Sequence, residues 1–190
     1  MTGYRGDVLV TVLRLDEFGQ MNFPKIKISE VTDEDYVRIV YLPNRSITYV
    51  KGCLSSSNYN GSVNFITLSD DQHLICCKDQ NLLTCTYFHP DCLPIIDEKT
   101  FDQLTEDNVL AKATCLCLIC AEENESIDNY VERVEECMET SFDLKKLEIM
   151  DNREQFYEGR IYNLDLPIEY ALLIDNDIIV TTNHEHEGWI

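Results

Sequence analysis

Short apolar bursts and alternating stretches fill the first half of the chain, and their period predicts strands. Residues 8–13 form a β-branched, largely apolar run that suits a strand buried on both faces. Residues 25–28 alternate Lys and Ile, as a half-exposed strand does. A third run, 37–42, is stopped by Pro43-Asn44, a turn signal. A fourth, 47–54, leads into Ser55-Ser56-Ser57-Asn58-Tyr59-Asn60-Gly61. Asn60-Gly61 predicts a tight hairpin turn, because both residues tolerate positive φ. Residues 63–68 and 73–77 supply two more strands with a polar turn between them. Short strands at this spacing predict a small barrel.

The second half is more mixed. Pro90 and Pro94 interrupt residues 84–108, with a short helix expected over 97–104. Residues 113–121 are apolar and β-like, as in a central strand. The clearest helix is 126–140, where Ile127, Tyr130, Val131, Val134, Cys137 and Met138 make one apolar stripe. Ser126 is placed to cap it, and Asp128 favours the positive end of the helix dipole. Residues 147–150, 156–163 and 178–181 return to β, and 169–174 read as strand or helical turn. The predicted fold class is mostly β with helices (α+β).

Composition narrows the setting. At 190 residues the chain fits one domain or two small lobes, and 44% hydrophobic residues can build a core. No apolar run approaches the roughly 20 residues of a membrane span, and residues 1–7 carry no signal-peptide pattern. Nine cysteines, an odd number, point to a reducing, cytoplasmic setting. On that reading the N-x-S sites at Asn44, Asn60 and Asn124 are idle, and Arg5-Gly6-Asp7 is a chance triplet. The formal charge of −20 repels a nucleic-acid backbone and favours a basic partner.

Residues 63–74, Val-Asn-Phe-Ile-Thr-Leu-Ser-Asp-Asp-Gln-His-Leu, can be laid on the Tudor hairpin pattern V-x-F-I-D-Y-G-N-x-E-x-V, keeping Val63, Phe65 and Ile66. Residues 49–54 lie on its upstream W-Y-R-A-x-V strand, 113–118 on an A-x-x-C-x-L strand, and 160–164 on a returning strand. On these motifs the chain resembles the extended Tudor domain of germline piRNA-pathway scaffold proteins. The resemblance implies a Tudor-like five-stranded barrel, core 36–83, joined to a staphylococcal-nuclease-like OB-fold lobe from 1–35 and 105–183, with a tail at 184–190. It implies a peptide site at Tyr41, Tyr49, Phe65, Leu68 and Asp70, with Tyr49 or Val50 as the second aromatic according to register. Leu68 stands where the family has a cage Tyr, Thr67 replaces its Asp, and Asp70 replaces its Asn. Such a site would hold an arginine-rich tail, as of a PIWI-type Argonaute in a perinuclear granule (nuage), with little dependence on methylation. Asp70 is equally a turn residue.

Other constellations are weaker. His73, Cys76, Cys77, Cys85, His89 and Cys92 have zinc-ligand chemistry but lack a paired C-x2-C, so core packing is expected. Cys117-Leu118-Ile119-Cys120 falls in an apolar strand rather than at a helix start. Asp175 and Asp177 could hold a nuclease metal but suit a turn, and His184-Glu185-His186-Glu187 suits a solvated tail. No catalytic residue, metal, cofactor, direct nucleic-acid contact or membrane contact is expected. The alternative functions are a structural or dimerising domain without a peptide pocket and a metal-dependent nuclease-like enzyme.

Overall fold

The computed structural model describes residues 3–41, 43, 46–86, 95–104, 109–115, 120–122, 124–136, 142–166, 170–175 and 178–180. Its strands divide between a small closed barrel and one large sheet. In chain order they are β1 (Tyr4–Arg5), β2 (Leu9–Leu15), β3 (Met21–Asn22), β4 (Lys25–Lys27), β5 (Tyr36–Tyr41), β6 (Ser46–Lys51), β7 (Cys53–Leu68) and β8 (His73–Cys77). There follow β9 (Leu82–Thr86), β10 (Ile95–Lys99), β11 (Val109–Cys115), helix α1 (Ile127–Glu136), β12 (Phe142–Leu147), β13 (Ile149–Asp165), β14 (Tyr170–Ile174) and β15 (Ile178–Val180).

The barrel closes in the order β1-β13-β7-β8. The sheet runs β10-β9-β11-β15-β14-β2-β5-β6, with β12 on β11 and with β3 and β4 on β2. The mostly-β expectation holds, but the barrel has other members than the sequence suggested. Strands β5 and β6 pair in the large sheet, whereas β7 and β8 pair in the barrel with β1 and β13.

The largest departure lies at Asn60-Gly61. No turn forms there: residues 55–61 continue a single strand, paired with β13 from Cys53↔Asp165 to Leu68↔Ile149. Neither Asn60 nor Gly61 takes a positive φ. The expected polar turn between β7 and β8 does form at residues 69–72, where Asp71 has φ 62° and its amide donates to the Leu68 carbonyl at 3.0 Å. A local turn preference is outweighed when a distant strand satisfies every backbone group along the segment.

One apolar core serves both halves. Ile66, Leu68 and Leu74 from the barrel cluster with Val12, Ile39 and Leu172 from the sheet, all within 1% of fully buried. The expected helix is present as α1. The Ser126 hydroxyl accepts from the Asn129 amide at 3.2 Å, satisfying an amide the helix leaves unpaired. Tyr130 and Val134 face inward. The Tyr130 ring packs on Phe23 and Tyr49, with centroids 5.6 and 6.1 Å away. Asp35, 2% exposed, anchors the β4–β5 connection through a bidentate pair with Arg14, both bonds 2.8 Å.

Burial acts on two adjacent thiols of β8. Cys76 is pushed up to about 12 by burial and then by its neighbour Cys77, whose own thiol burial raises to about 11. Below pH 9, the ordinary value, both are protonated whether the chain is folded or not, so their contribution is intact. As pH rises from about 9 to 12 the unfolded chain ionises first, and stability falls. The melting temperature of the native chain should therefore drop more steeply from pH 9 to 11 than that of Cys76→Val; parallel thermal curves would contradict this.

Candidate functional site

The five residues expected to form a peptide site fall into two groups. Tyr41 and Tyr49 belong to β5 and β6 of the large sheet; Phe65 and Leu68 belong to β7, and Asp70 to the turn after it. Tyr49, 6% exposed, is packed between Phe23 and Tyr130. The three centroids lie 5.6–6.1 Å apart. Phe65 stacks at 4.8 Å on His73, and Leu68 is fully buried. Asp70 Oδ1 accepts from the Gln72 amide at 3.4 Å, a turn residue's bond.

The other sequence candidates also find places. Cys76 and Cys77 are both buried, and no group of three or more metal-ligating side chains occurs among the described residues. His89, Cys92, residues 117–119, Asp177 and the 184–187 run lie outside the described residues. Asp175 is in the left-handed region, φ 50°, and its Oδ1 accepts from the Leu9 amide at 3.1 Å. Burial raises its pKa. No helix among the described residues is long and apolar enough to cross a membrane.

Chemistry concentrates where β1 closes the barrel. Tyr4, 1% exposed, pairs at once with Tyr162 of β13 and Cys76 of β8. The Cys77 amide donates to the Gly3 carbonyl at 3.0 Å, and a side chain at Gly3 would meet Asn163 Nδ2 at 3.1 Å. Gly3 has φ 148°, which favours glycine. The Tyr59 hydroxyl donates to the Ser62 carbonyl at 2.6 Å, and burial raises its pKa. A thiol, a phenol and the backbone entering β1 thus share one end of the barrel.

Beside them opens a cavity of about 410 Å³. It is bordered by Arg5, Gly6, Asp7 and Ser29 together with Tyr157, Arg160 and Tyr162 of β13. Arg5 Nε donates to Asp7 Oδ1 at 2.9 Å and its Nη2 to Oδ2, holding the Asp7 carboxyl below its ordinary value. The Arg5-Gly6-Asp7 triplet, a chance match by sequence, is thus a clamped turn in the wall. Its signal was local: an Arg and an Asp flanking a glycine can chelate each other. Nothing in the sequence joins it to Arg160.

Gly6 is needed for close approach. A Cβ there would sit 2.7 Å from Tyr162 Cε2 and 3.1 Å from Ser29 Cβ. Gly6→Ala should displace the Tyr162 ring and cost about 1–3 kcal/mol, read as a lowered denaturant midpoint. An unchanged midpoint would contradict this packing.

The arrangement of sheet and barrel identifies the fold as that of inteins. An intein from a hyperthermophile superposes with a TM-score of 0.62 at 9% identity, over 95% of this chain and 99% of the other. A KlbA intein precursor from Methanococcus jannaschii gives 0.61 at 9%, over 99% and 97%. A DnaB intein from Synechocystis sp. PCC 6803 gives 0.57 at 14%, over 97% and 100%. Comparison with protein-family models and with curated proteins gives no match.

The intein fold overturns the extended Tudor resemblance. With it go the piRNA adaptor reading and the two alternatives of a dimerising domain and a metal-dependent nuclease. The physical reason is that Val63, Phe65 and Ile66 mark only an apolar β-strand, a pattern shared by many β folds.

Proposed function

We propose that the chain works as a self-processing domain of the intein type, one that rearranges a peptide bond of the polypeptide in which it is embedded. The observation that carries this reading is the extent of the fold likeness. It runs over 95–99% of this chain and 97–100% of three intein chains, so it is not confined to one sheet or barrel.

Rearranging a peptide bond begins with a nucleophile at a carbonyl carbon. Cys77 is the candidate. It is the thiol whose own backbone amide holds the Gly3 carbonyl, at the point where the chain enters β1. Thiolate is the reactive form. With the thiol raised to about 11 by burial, its reactive fraction at neutral pH is small and grows about tenfold per pH unit on the way up.

The test is a fusion carrying a reporter domain at each end of the full chain, followed by gel and intact mass after incubation from pH 7 to 9. Cleaved or rejoined products should appear, faster at the higher pH. Cys77→Ala should suppress them. A single unbroken polypeptide at pH 9 would overturn the reading; products that persist in Cys77→Ala would overturn the choice of nucleophile alone.

A further inference from the structure

We propose that Tyr59 is a positioning residue for Cys77, its hydroxyl anchored on the β7–β8 seam to support the sulfur in the form that reacts. The inference rests on Cys77 as the nucleophile of self-processing and names the side chain that tunes it.

Register gives the first support. Val63 of β7 lies opposite Cys77 of β8, so their side chains share one face. Tyr59, Gly61 and Val63 alternate along the same continuous strand, which puts Tyr59 on that face too. The ring uses the gap left at Gly61. A Cβ at Gly61 would stand 3.1 Å from both Cζ and Oη of Tyr59, so the ring lies along the strand, over the glycine. Its hydroxyl ends on the Ser62 carbonyl, 2.6 Å away. The same carbonyl accepts from the Lys78 amide at 3.2 Å, and Lys78 directly follows Cys77. The phenol is therefore held at the seam of the two strands, on the face that carries the Cys77 thiol.

Chemistry gives the second. A phenol hydroxyl both donates and accepts. While its proton goes to Ser62, its oxygen can accept from the thiol; once the thiol ionises, the hydroxyl turns about its C–O bond and donates to sulfur. The ring stays in place over Gly61, so the support is pre-organised. Burial raises the Cys77 thiol and the Asp79 carboxylate adds to that, whereas the amino terminus and a hydrogen bond from Tyr59 lower it. Cys76, the adjacent thiol, alternates to the other face and packs in the apolar core. Of the side chains that act on Cys77, Tyr59 is the one that favours the thiolate. The Tyr59 phenol is itself raised from 10.0, by burial first and then by Cys77 and Asp79, so between pH 7 and 9 it keeps its proton to donate.

NMR of the full chain with cysteine labelled at Cβ follows each thiol as it ionises, and the Cys77 signal is the one missing from Cys77→Ala. Tyr59→Phe keeps the ring and removes the hydroxyl. It should cut the Cys77 thiolate fraction at pH 10 about 10-fold, the loss of one hydrogen bond to an ionised group. An unchanged melting temperature at pH 7 verifies that the variant folds. Gly61→Ala, which crowds the ring, should lower the thiolate fraction in the same direction. A Cys77 titration unchanged by Tyr59→Phe would overturn the inference. In the fusion with reporter domains, Tyr59→Phe should slow the Cys77-dependent products only ~3-fold at pH 8, because the rarer thiolate is the stronger nucleophile. If the native fusion gives no products, the self-processing reading fails, while the titration still decides whether Tyr59 supports the Cys77 sulfur.

Discussion

The pairing of β7 with β13 is the interaction on which the rest depends. Strands of 16 and 17 residues, remote in sequence, run antiparallel from Cys53↔Asp165 to Leu68↔Ile149, with one irregularity near Ile149. Everything between them must be folded back to bring them together, so the ribbon ties the two halves of the chain. Its β8 side and its β1 side close the barrel. Its buried residues, Ile66, Leu68, Ile161 and Leu164, join the apolar interior. Its residues Tyr157, Arg160 and Tyr162 border the cavity beside β1.

The ribbon also explains how the start of the described chain is held. Strand β1 is only two residues long and cannot be stable alone; it is held because Tyr4 pairs on both sides, with β13 and with β8. That short closure presents the Gly3 carbonyl to the Cys77 amide and brings Gly6 against Tyr162 and Ser29. In the large sheet, α1 covers β6 through the Phe23, Tyr49 and Tyr130 rings. The bidentate Glu125–Arg133 pair, at 2.8 and 2.7 Å, joins the start of the helix to its last turn. It draws the Glu125 carboxyl down to about 2.

What the sequence made legible was local. The strand content, the α1 stripe and its Ser126 cap follow from period and side-chain chemistry over a few residues. The polar turn between Leu68 and His73 was also readable, with Asp70 in a turn role. Two things were not. Asn60-Gly61 has the composition of a hairpin turn, but its backbone partners lie at Glu158 and Tyr157, which no window around residue 60 contains. Likewise, the motif around Phe65 and Leu68 carries no sign of its surroundings, where Leu68 is buried and Phe65 lies against His73. The candidate site was least legible, because Gly3 and Cys77, remote in sequence, come together only where β1 pairs with β8 and β13, Tyr4↔Cys76 and Tyr4↔Tyr162.

The most direct measurement of the fold is a map of interproton contacts by NMR along residues 53–68. A continuous β7 requires cross-strand contacts from this segment to residues 149–165 throughout, including Tyr59 to Gly159 and Asn60 to Glu158. Contacts folding residues 55–59 back on 62–66 about Asn60-Gly61, in place of those to β13, would contradict the account.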